Sequence, residues 1–233
     1  MMNLVFLGAP GSGKGTYTAR ITERFAIPAI STGDILRQAV RSGSALGKEC
    51  QAFMDAGKLV PDEVMGRVLR ERLGQPDCAK GFILDGYPRT AGQADELDRV
   101  LVSRQSRLSC AILIDVPEDV IVKRLGGRRS CPACGAVFNV FSLPPAREGI
   151  CDKCGKALVT RPDDATETVR NRMKIYREQS EPLAGRYRAA GLLKSVDGNR
   201  PLDAVVEEIA GIVRASADAE ALRPGRADKA AGA

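Results

Sequence analysis

The sequence predicts an α/β fold, a parallel sheet flanked by helices, and three observations carry the prediction. Short apolar runs, Leu4-Val5-Phe6-Leu7, Phe82-Ile83-Leu84 and Ala111-Ile112-Leu113-Ile114, recur between longer stretches of helical character. Uninterrupted runs of this kind suit strands covered on both faces, and strands alternating with helices assemble by right-handed crossovers into a parallel sheet. The first run leads into Gly8-Ala9-Pro10-Gly11-Ser12-Gly13-Lys14-Gly15-Thr16, so a glycine loop joins a strand to a helix start. Finally, two later runs end in carboxylates, Asp85 and Asp115, at the strand end where open parallel sheets present ligand-binding groups.

Taken in order, a strand over 4–7 is followed by a helix over 14–25 and a short buried strand at 27–30. Ser31-Thr32-Gly33-Asp34 supplies capping residues for a helix over 35–41, which Ser42-Gly43 ends. A second helix over 46–56 stops at Gly57, and Lys58-Leu59-Val60-Pro61-Asp62 loops into a helix over 63–73. Residues 31–60 thus read as a helical excursion from the core. A strand over 81–86, the turn Tyr87-Pro88-Arg89-Thr90, a helix over 91–103, a strand over 110–115 and a helix over 118–125 continue the alternation. From 128 to 160, glycines, prolines, short apolar pairs and four cysteines predict a small antiparallel insert. One long helix over 164–189, a fifth strand over 192–197 and a last helix over 201–215 complete the core, with 216–233 read as a disordered tail rich in Ala, Gly and charge.

Composition narrows the function. With 233 residues, 44% of them hydrophobic, the chain can bury one main core carrying insertions. The start lacks a basic leader and no apolar run approaches the roughly 18 residues that span a bilayer, so a soluble cytoplasmic protein with no membrane partner is expected. Net charge is +6, and between 120 and 172 ten Lys and Arg face five Asp and Glu, a patch suited to a polyanion. Aromatics are only 4% and Trp is absent, which leaves few platforms for stacking the bases of a single strand. Histidine is absent too, removing the commonest general base and limiting zinc to Cys or carboxylate ligands.

The glycine loop has the spacing of a phosphate cradle: backbone N–H groups converge on an anion, the helix N-terminus adds partial positive charge, and Lys14 adds a full one. Gly15 stands where the common form of the motif has a magnesium-binding Ser or Thr, leaving Thr16 as the nearest hydroxyl and Asp85 as the acid to orient Mg²⁺ through water. Arg37, Arg89, Arg128, Arg161 and Arg172 fall at motif boundaries, and their guanidinium forks bind phosphate bidentately. Asp163 and Asp164 read as caps of the long helix. Cys131-Pro132-Ala133-Cys134 and Cys151-Asp152-Lys153-Cys154, each followed by glycine, have the spacing of two knuckles closing on one structural Zn²⁺. The other cysteines, Cys50, Cys78 and Cys110, sit singly.

Together, Gly8 to Thr16, Ser31-Thr32-Gly33-Asp34, Phe82-Ile83-Leu84-Asp85-Gly86-Tyr87-Pro88-Arg89 and Gly127-Arg128-Arg129 resemble the adenylate kinase family in its long, zinc-containing form. The resemblance covers about residues 2–215. It implies a five-stranded P-loop NTPase-type core of residues 1–30, 61–126 and 165–215, an AMP-binding insert at 31–60 and a zinc lid at 127–164. It implies reversible transfer from Mg·ATP to AMP giving two ADP, by a monomer without nucleic-acid partners. Lys14, Asp85, Arg89, Arg128, Arg161 and Arg172 are then the catalytic set. ATP falls to Gly11, Ser12, Gly13, Lys14, Gly15, Thr16, Arg124, Arg128, Val137, Phe138 and Arg200. AMP falls to Thr32, Arg37, Lys58, Leu59, Val60, Gly86, Tyr87, Pro88, Arg89, Gln93, Arg161 and Arg172. Phe138-Asn139 departs from the Tyr-His pair common in the lid. Two alternatives stay open: a kinase of the same fold acting on another monophosphate, and a zinc-ribbon nucleic-acid binder with an accessory phosphate loop. The latter gives Thr32-Gly33-Asp34 and Asp85 to Arg89 no role.

Overall fold

The computed structural model of the protein describes residues 1–221. Its elements are β1 (Met2–Leu7), α1 (Lys14–Phe25), β2 (Ala29–Ser31), α2 (Thr32–Ser42), α3 (Ala45–Asp55), α4 (Asp62–Leu73), β3 (Gly81–Asp85), α5 (Ala91–Ser103), β4 (Cys110–Asp115), α6 (Glu118–Gly126), β5 (Arg128–Ser130), β6 (Val137–Asn139), α7 (Thr166–Ile175), α8 (Leu183–Ala189), β7 (Leu193–Asp197) and α9 (Leu202–Ala221). The main sheet has five parallel strands in the order β2-β3-β1-β4-β7. The chain moves to one side of β1 for β2 and β3 and to the other for β4 and β7, so the ends of β1 and β3 border the point where strand order reverses, the usual ligand crevice of such sheets.

Both sheet faces are buried, which is why the strands read as continuous apolar runs. Period-two alternation sends Val5, Leu7, Phe82 and Leu84 to a core shared with Leu36, Leu69 and Leu97. It sends Leu4, Phe6, Ile83 and Ile112 to a second core shared with Ile21, Val205 and Ile209. The cysteine insert stands apart from both: β5 and β6 form a two-stranded antiparallel sheet with Arg128 opposite Asn139, extended by a bridge from Ser130 to Val159.

Three departures from the sequence expectations have local causes. The second strand begins at Ala29, because Pro28 has no N–H for the ladder and serves only as acceptor, its carbonyl taking the N–H of Ile83 at 2.9 Å. The expected long helix over 164–189 is broken: α7 ends at Ile175, a π-helical turn spans Tyr176–Ser180, and Pro182 precedes α8. Proline supplies no N–H to a continuing ladder, and the N–H of Glu181 reaches back five residues to the carbonyl of Tyr176 at 2.8 Å. The last helix runs past 215 to Ala221, through alanine-rich sequence without Gly or Pro. Residues 216–221, expected to be disordered, are therefore helical; the rest of the expected tail lies outside the described residues.

A candidate phosphate-binding active site

The loop between β1 and α1 is wound so that its glycines take conformations other residues resist: φ is +87° at Gly11 and +96° at Gly13, the N-cap of α1. Lys14 folds back over the loop and donates to the carbonyls of Gly8 at 2.7 Å and Ala9 at 2.9 Å. Burial pushes its ammonium down to about 8; Arg89, Arg172 and Arg128 push the same way against the attraction of Asp85. Phe6 pairs with Asp85 in the sheet register, which sets the Asp85 carboxylate beside the loop. A Cβ at Gly15 would lie 3.4 Å from Asp85 Oδ2, so the carboxylate covers the place where a Ser or Thr hydroxyl would stand in the common motif. Burial raises the Asp85 carboxyl, and Lys14 only partly offsets this. An acid facing a phosphate loop is a fitting outer partner for a phosphate-bound Mg²⁺.

Lys14, Arg37, Arg89, Arg128, Arg161 and Arg172 all open onto one cleft of about 1040 Å³. The arginines come from distant points in the sequence: Arg37 from α2, Arg89 from the turn after β3, Arg128 from β5, Arg161 from the end of the insert and Arg172 from α7. Burial and neighbouring guanidinium groups push Arg161 and Arg172 down to about 10. They remain cations at neutral pH, and their crowding marks a site built for a highly charged anion. Arg161 is held by donating from Nε to Ser130 Oγ at 2.7 Å.

Asp163 and Asp164 do not cap the helix as expected; its N-cap is Ala165, with no side-chain cap bond. They instead receive the arginines. Asp164 pairs with Arg128, and Arg172 donates to Asp163 Oδ2 at 3.0 Å and to Asp164 Oδ1 at 3.4 Å. Asp163 also lies 3.8 Å from Arg37. Burial works to raise the Asp163 carboxyl, but Arg172, Arg37, Arg128 and Arg161 outweigh it and hold it below the usual range. Nearby guanidinium groups are a stronger call on these acids than a helix N–H.

On the side of the cleft formed by β2, α2 and the turn after β3, Thr32 Oγ1 donates to the Gly86 carbonyl at 2.9 Å. Thr32 and Gln93 are both buried behind the cleft surface rather than lining it; Gln93 Oε1 accepts from the Arg89 N–H at 2.8 Å and Nε2 donates to Asp62 Oδ1 at 2.8 Å. Gly86, Pro88, Arg89 and Leu59 line the cleft. The side chains of Tyr87 and Val60 instead lie in the core, the Tyr87 hydroxyl donating to the Gln93 carbonyl at 3.0 Å, while Lys58 is exposed. On the opposite side, Arg124 bridges the phosphate loop and the turn after β7, donating to the Ser12 carbonyl at 3.4 Å and the Gly198 carbonyl at 2.9 Å. Val137, Phe138 and Arg200 line the same end, and the Arg200 guanidinium is paired with Glu208.

The four cysteine sulfurs of the insert lie within 4.8 Å of one another, Cys131 to Cys154 at 3.4 Å and Cys134 to Cys151 at 3.6 Å. Thiolates about 2.3 Å from one tetrahedral zinc sit about 3.8 Å apart, so the cluster fits that ion. Both knuckles share one hydrogen-bond pattern: Gly135 N–H to the Cys131 carbonyl at 3.0 Å and Gly155 N–H to the Cys151 carbonyl at 2.8 Å. The set offers four ligands and no fifth position, the form of a structural site.

Several contacts escaped the sequence reading, which noted Asn139 only as a departure from the Tyr-His pair. Asn139 donates from Nδ2 to the Arg124 carbonyl at 2.7 Å and accepts the Phe141 N–H at 2.9 Å, pinning the insert to the end of α6. Asn171 donates to the Ala56 carbonyl at 2.6 Å, tying α7 to the helical excursion, and Ser180 donates to the Arg89 carbonyl at 2.9 Å. Single amides and hydroxyls carry no spacing signal; only the position of Asn139 within the insert singles it out.

The family model described as "Adenylate kinase" matches residues 6–192. An adenylate kinase of Thermodesulfovibrio yellowstonii is 51% identical over 212 residues, covering 91% of this chain and 99% of that protein. One from Archaeoglobus fulgidus is 50% identical over 212 residues, 91% and 98%. One from Thermotoga neapolitana is 51% identical over 214 residues, 91% and 97%. Likeness of this extent marks an enzyme that phosphorylates nucleoside monophosphates: the chain belongs to the adenylate kinase family.

Proposed function

We propose that the chain reversibly transfers the terminal phosphoryl group of Mg·ATP to AMP, giving two ADP, and so maintains the balance of adenine nucleotides. The observation that carries the choice of AMP is the polar pair beside Arg89. Thr32 spends its hydroxyl hydrogen on Gly86, leaving lone pairs to accept; Gln93 spends one amide hydrogen on Asp62, leaving another to donate. An acceptor and a donor together suit the amino group and adjacent ring nitrogen of adenine, the pattern that guanine and uracil reverse.

The chemistry asks little covalent help. The attacking group is a phosphate oxygen already ionised at neutral pH, so no general base is required, in keeping with a chain that has no histidine. Catalysis then rests on alignment and on charge placed where the transferring group develops it. Lys14 and the loop N–H groups hold the donor's phosphates, Arg37 and Arg89 the acceptor's, and Arg128, Arg161 and Arg172 the group in flight. Magnesium arrives with ATP and neutralises phosphate charge; Asp85 is the acid that would orient its waters, Thr16 the nearest hydroxyl. Residues 127–164 act as a lid that excludes water as a competing acceptor, stiffened by a structural Zn²⁺ on Cys131, Cys134, Cys151 and Cys154. Residues 31–60 form the AMP-binding unit. The protein works as a monomer in the cytoplasm, with ATP, AMP and ADP as partners and neither nucleic acid nor membrane. Among the described residues, no helix is long and apolar enough to cross a membrane.

The test is ADP formation from Mg·ATP with AMP, GMP, CMP and UMP in turn, for the wild type and Thr32→Ala. AMP is the preferred acceptor, and Thr32→Ala loses discrimination more than turnover. A wild type that prefers UMP or CMP overturns the reading.

A further inference from the structure

We infer that Asp62 is a positioning residue that fixes the orientation of the Gln93 amide and thereby the base selectivity of the acceptor pocket. The inference rests on the proposed use of AMP. Asp62 opens α4, where an acid ordinarily does no more than face the helix N-terminus. Here both of its oxygens are committed to the start of α5: Oδ1 accepts from Gln93 Nε2 at 2.8 Å and Oδ2 from Thr90 Oγ1 at 2.7 Å. Thr90 in turn caps α5 by accepting the Gln93 N–H at 3.1 Å. The approach is close enough that a Cβ at Gly92 would come within 2.7 Å of Asp62 Oδ2.

An amide side chain can be turned over with little change in shape, exchanging its donor and acceptor ends. Two neighbours forbid that at Gln93. The Arg89 N–H can only donate and so demands Oε1; an ionised Asp62 can only accept and so demands Nε2. Reversal would set donor against donor at Arg89 and acceptor against acceptor at Asp62. With Gln93 almost wholly buried, no solvent is at hand to relieve either conflict. Asp62 thus determines that the free hydrogen of Gln93 is available to the base, beside the acceptor that Gly86 makes of Thr32. Without it, a single backbone N–H holds the amide, and the pocket loses its preference for adenine's pattern.

Steady-state kinetics with AMP, GMP and UMP at saturating Mg·ATP, on the wild type, Asp62→Ala and Asp62→Asn, test this. Asp62→Ala is expected to raise KM for AMP about tenfold, the worth of one charge-assisted hydrogen bond, with KM for ATP unchanged, and to narrow the AMP-to-UMP and AMP-to-GMP ratios of kcat/KM by a similar factor. Asp62→Asn keeps the shape of the side chain but accepts either orientation of Gln93, and is expected to narrow the same ratios by about threefold. Thermal melting of each variant confirms a folded protein. If either folded variant keeps the wild-type ratios, or slows all three acceptors equally, Asp62 is only a structural contact and the inference falls. A wild type without preference for AMP overturns the proposed function and this inference together; a wild type that prefers AMP beside variants of unchanged selectivity overturns the inference alone.

Discussion

Arg128 donates from Nε to Asp164 Oδ2 at 2.7 Å, so the first residue of β5 is fastened to the turn that leads into α7. The Asp164 side chain is wholly buried and that of Arg128 only 15% exposed. With Asp163 beside it, this carboxylate gathers guanidinium groups from β5, α7 and, through Arg37, α2. The two acids thus join the three segments that a phosphate-bearing ligand would also join.

Removing one partner of a buried pair leaves the other charged and unpaired. Asp164→Ala is therefore expected to destabilise the fold by about 3 kcal/mol. Equilibrium urea unfolding measures it, and a variant within 0.5 kcal/mol of wild type, roughly the scatter of surface changes, would show that the pair is not a buried anchor.

Lys14 supplies the test of electrostatic catalysis. Lys14→Met should lower kcat by orders of magnitude, about a thousandfold on the scale of lost transition-state donors, with melting unchanged. Near-normal turnover would remove the phosphate-loop reading.

The same residue predicts a pH dependence. In the free enzyme Lys14 titrates at about 8, pushed down first by burial. It is a cation below that pH and neutral above it, so kcat/KM for ATP, which reports free enzyme, should fall as pH rises through 8. Bound phosphates favour the ammonium, so kcat should hold level to higher pH. A kcat/KM profile flat well above pH 8 in wild type would contradict the assignment.

The Asn139 amide makes firm contacts with α6 and the following turn. Asn139→Ala should loosen the wall carrying Phe138 and the backbone of Arg124, raising KM for ATP about fivefold, as expected for one lost buried hydrogen bond, with KM for AMP little changed. Equal effects on both substrates would place Asn139 outside the ATP end of the cleft.

Removing metal separates structure from chemistry. The insert has few large apolar side chains, and several of them, Val140, Phe141, Leu143 and Val159, are exposed. Metal binding can supply on the order of 10 kcal/mol to modules of this kind. Chelation should lower the melting temperature while turnover at moderate temperature partly survives, because Arg128 and Arg161 flank the knuckles without being ligands. Metal analysis should find one zinc per chain; none, with Cys131, Cys134, Cys151 and Cys154 all reacting freely, would refute the site.

The legible parts were those whose chemistry demands fixed spacing. Lys14 after its glycines, the paired cysteines and Asp85 at a strand end can each be read locally, because backbone geometry alone places them. Asp163 and Asp164 could not: two acids before a helix look like caps, and only the arrival of Arg128 and Arg172 reveals another use. Asp62, at the end of a loop in the sequence reading, shows its use only where α5 comes alongside. The break after α7 is hidden in the sequence because the periodicity on either side of the π turn is helical, with Pro182 the one local signal of it.

Phosphorus NMR on the purified chain with Mg·ATP and AMP should show the γ-phosphate signal fall to an equilibrium level with two ADP formed for each AMP consumed, and ADP alone with Mg²⁺ should regenerate ATP and AMP. ATP left intact beside AMP, or inorganic phosphate as the product in place of a second ADP, would contradict the account.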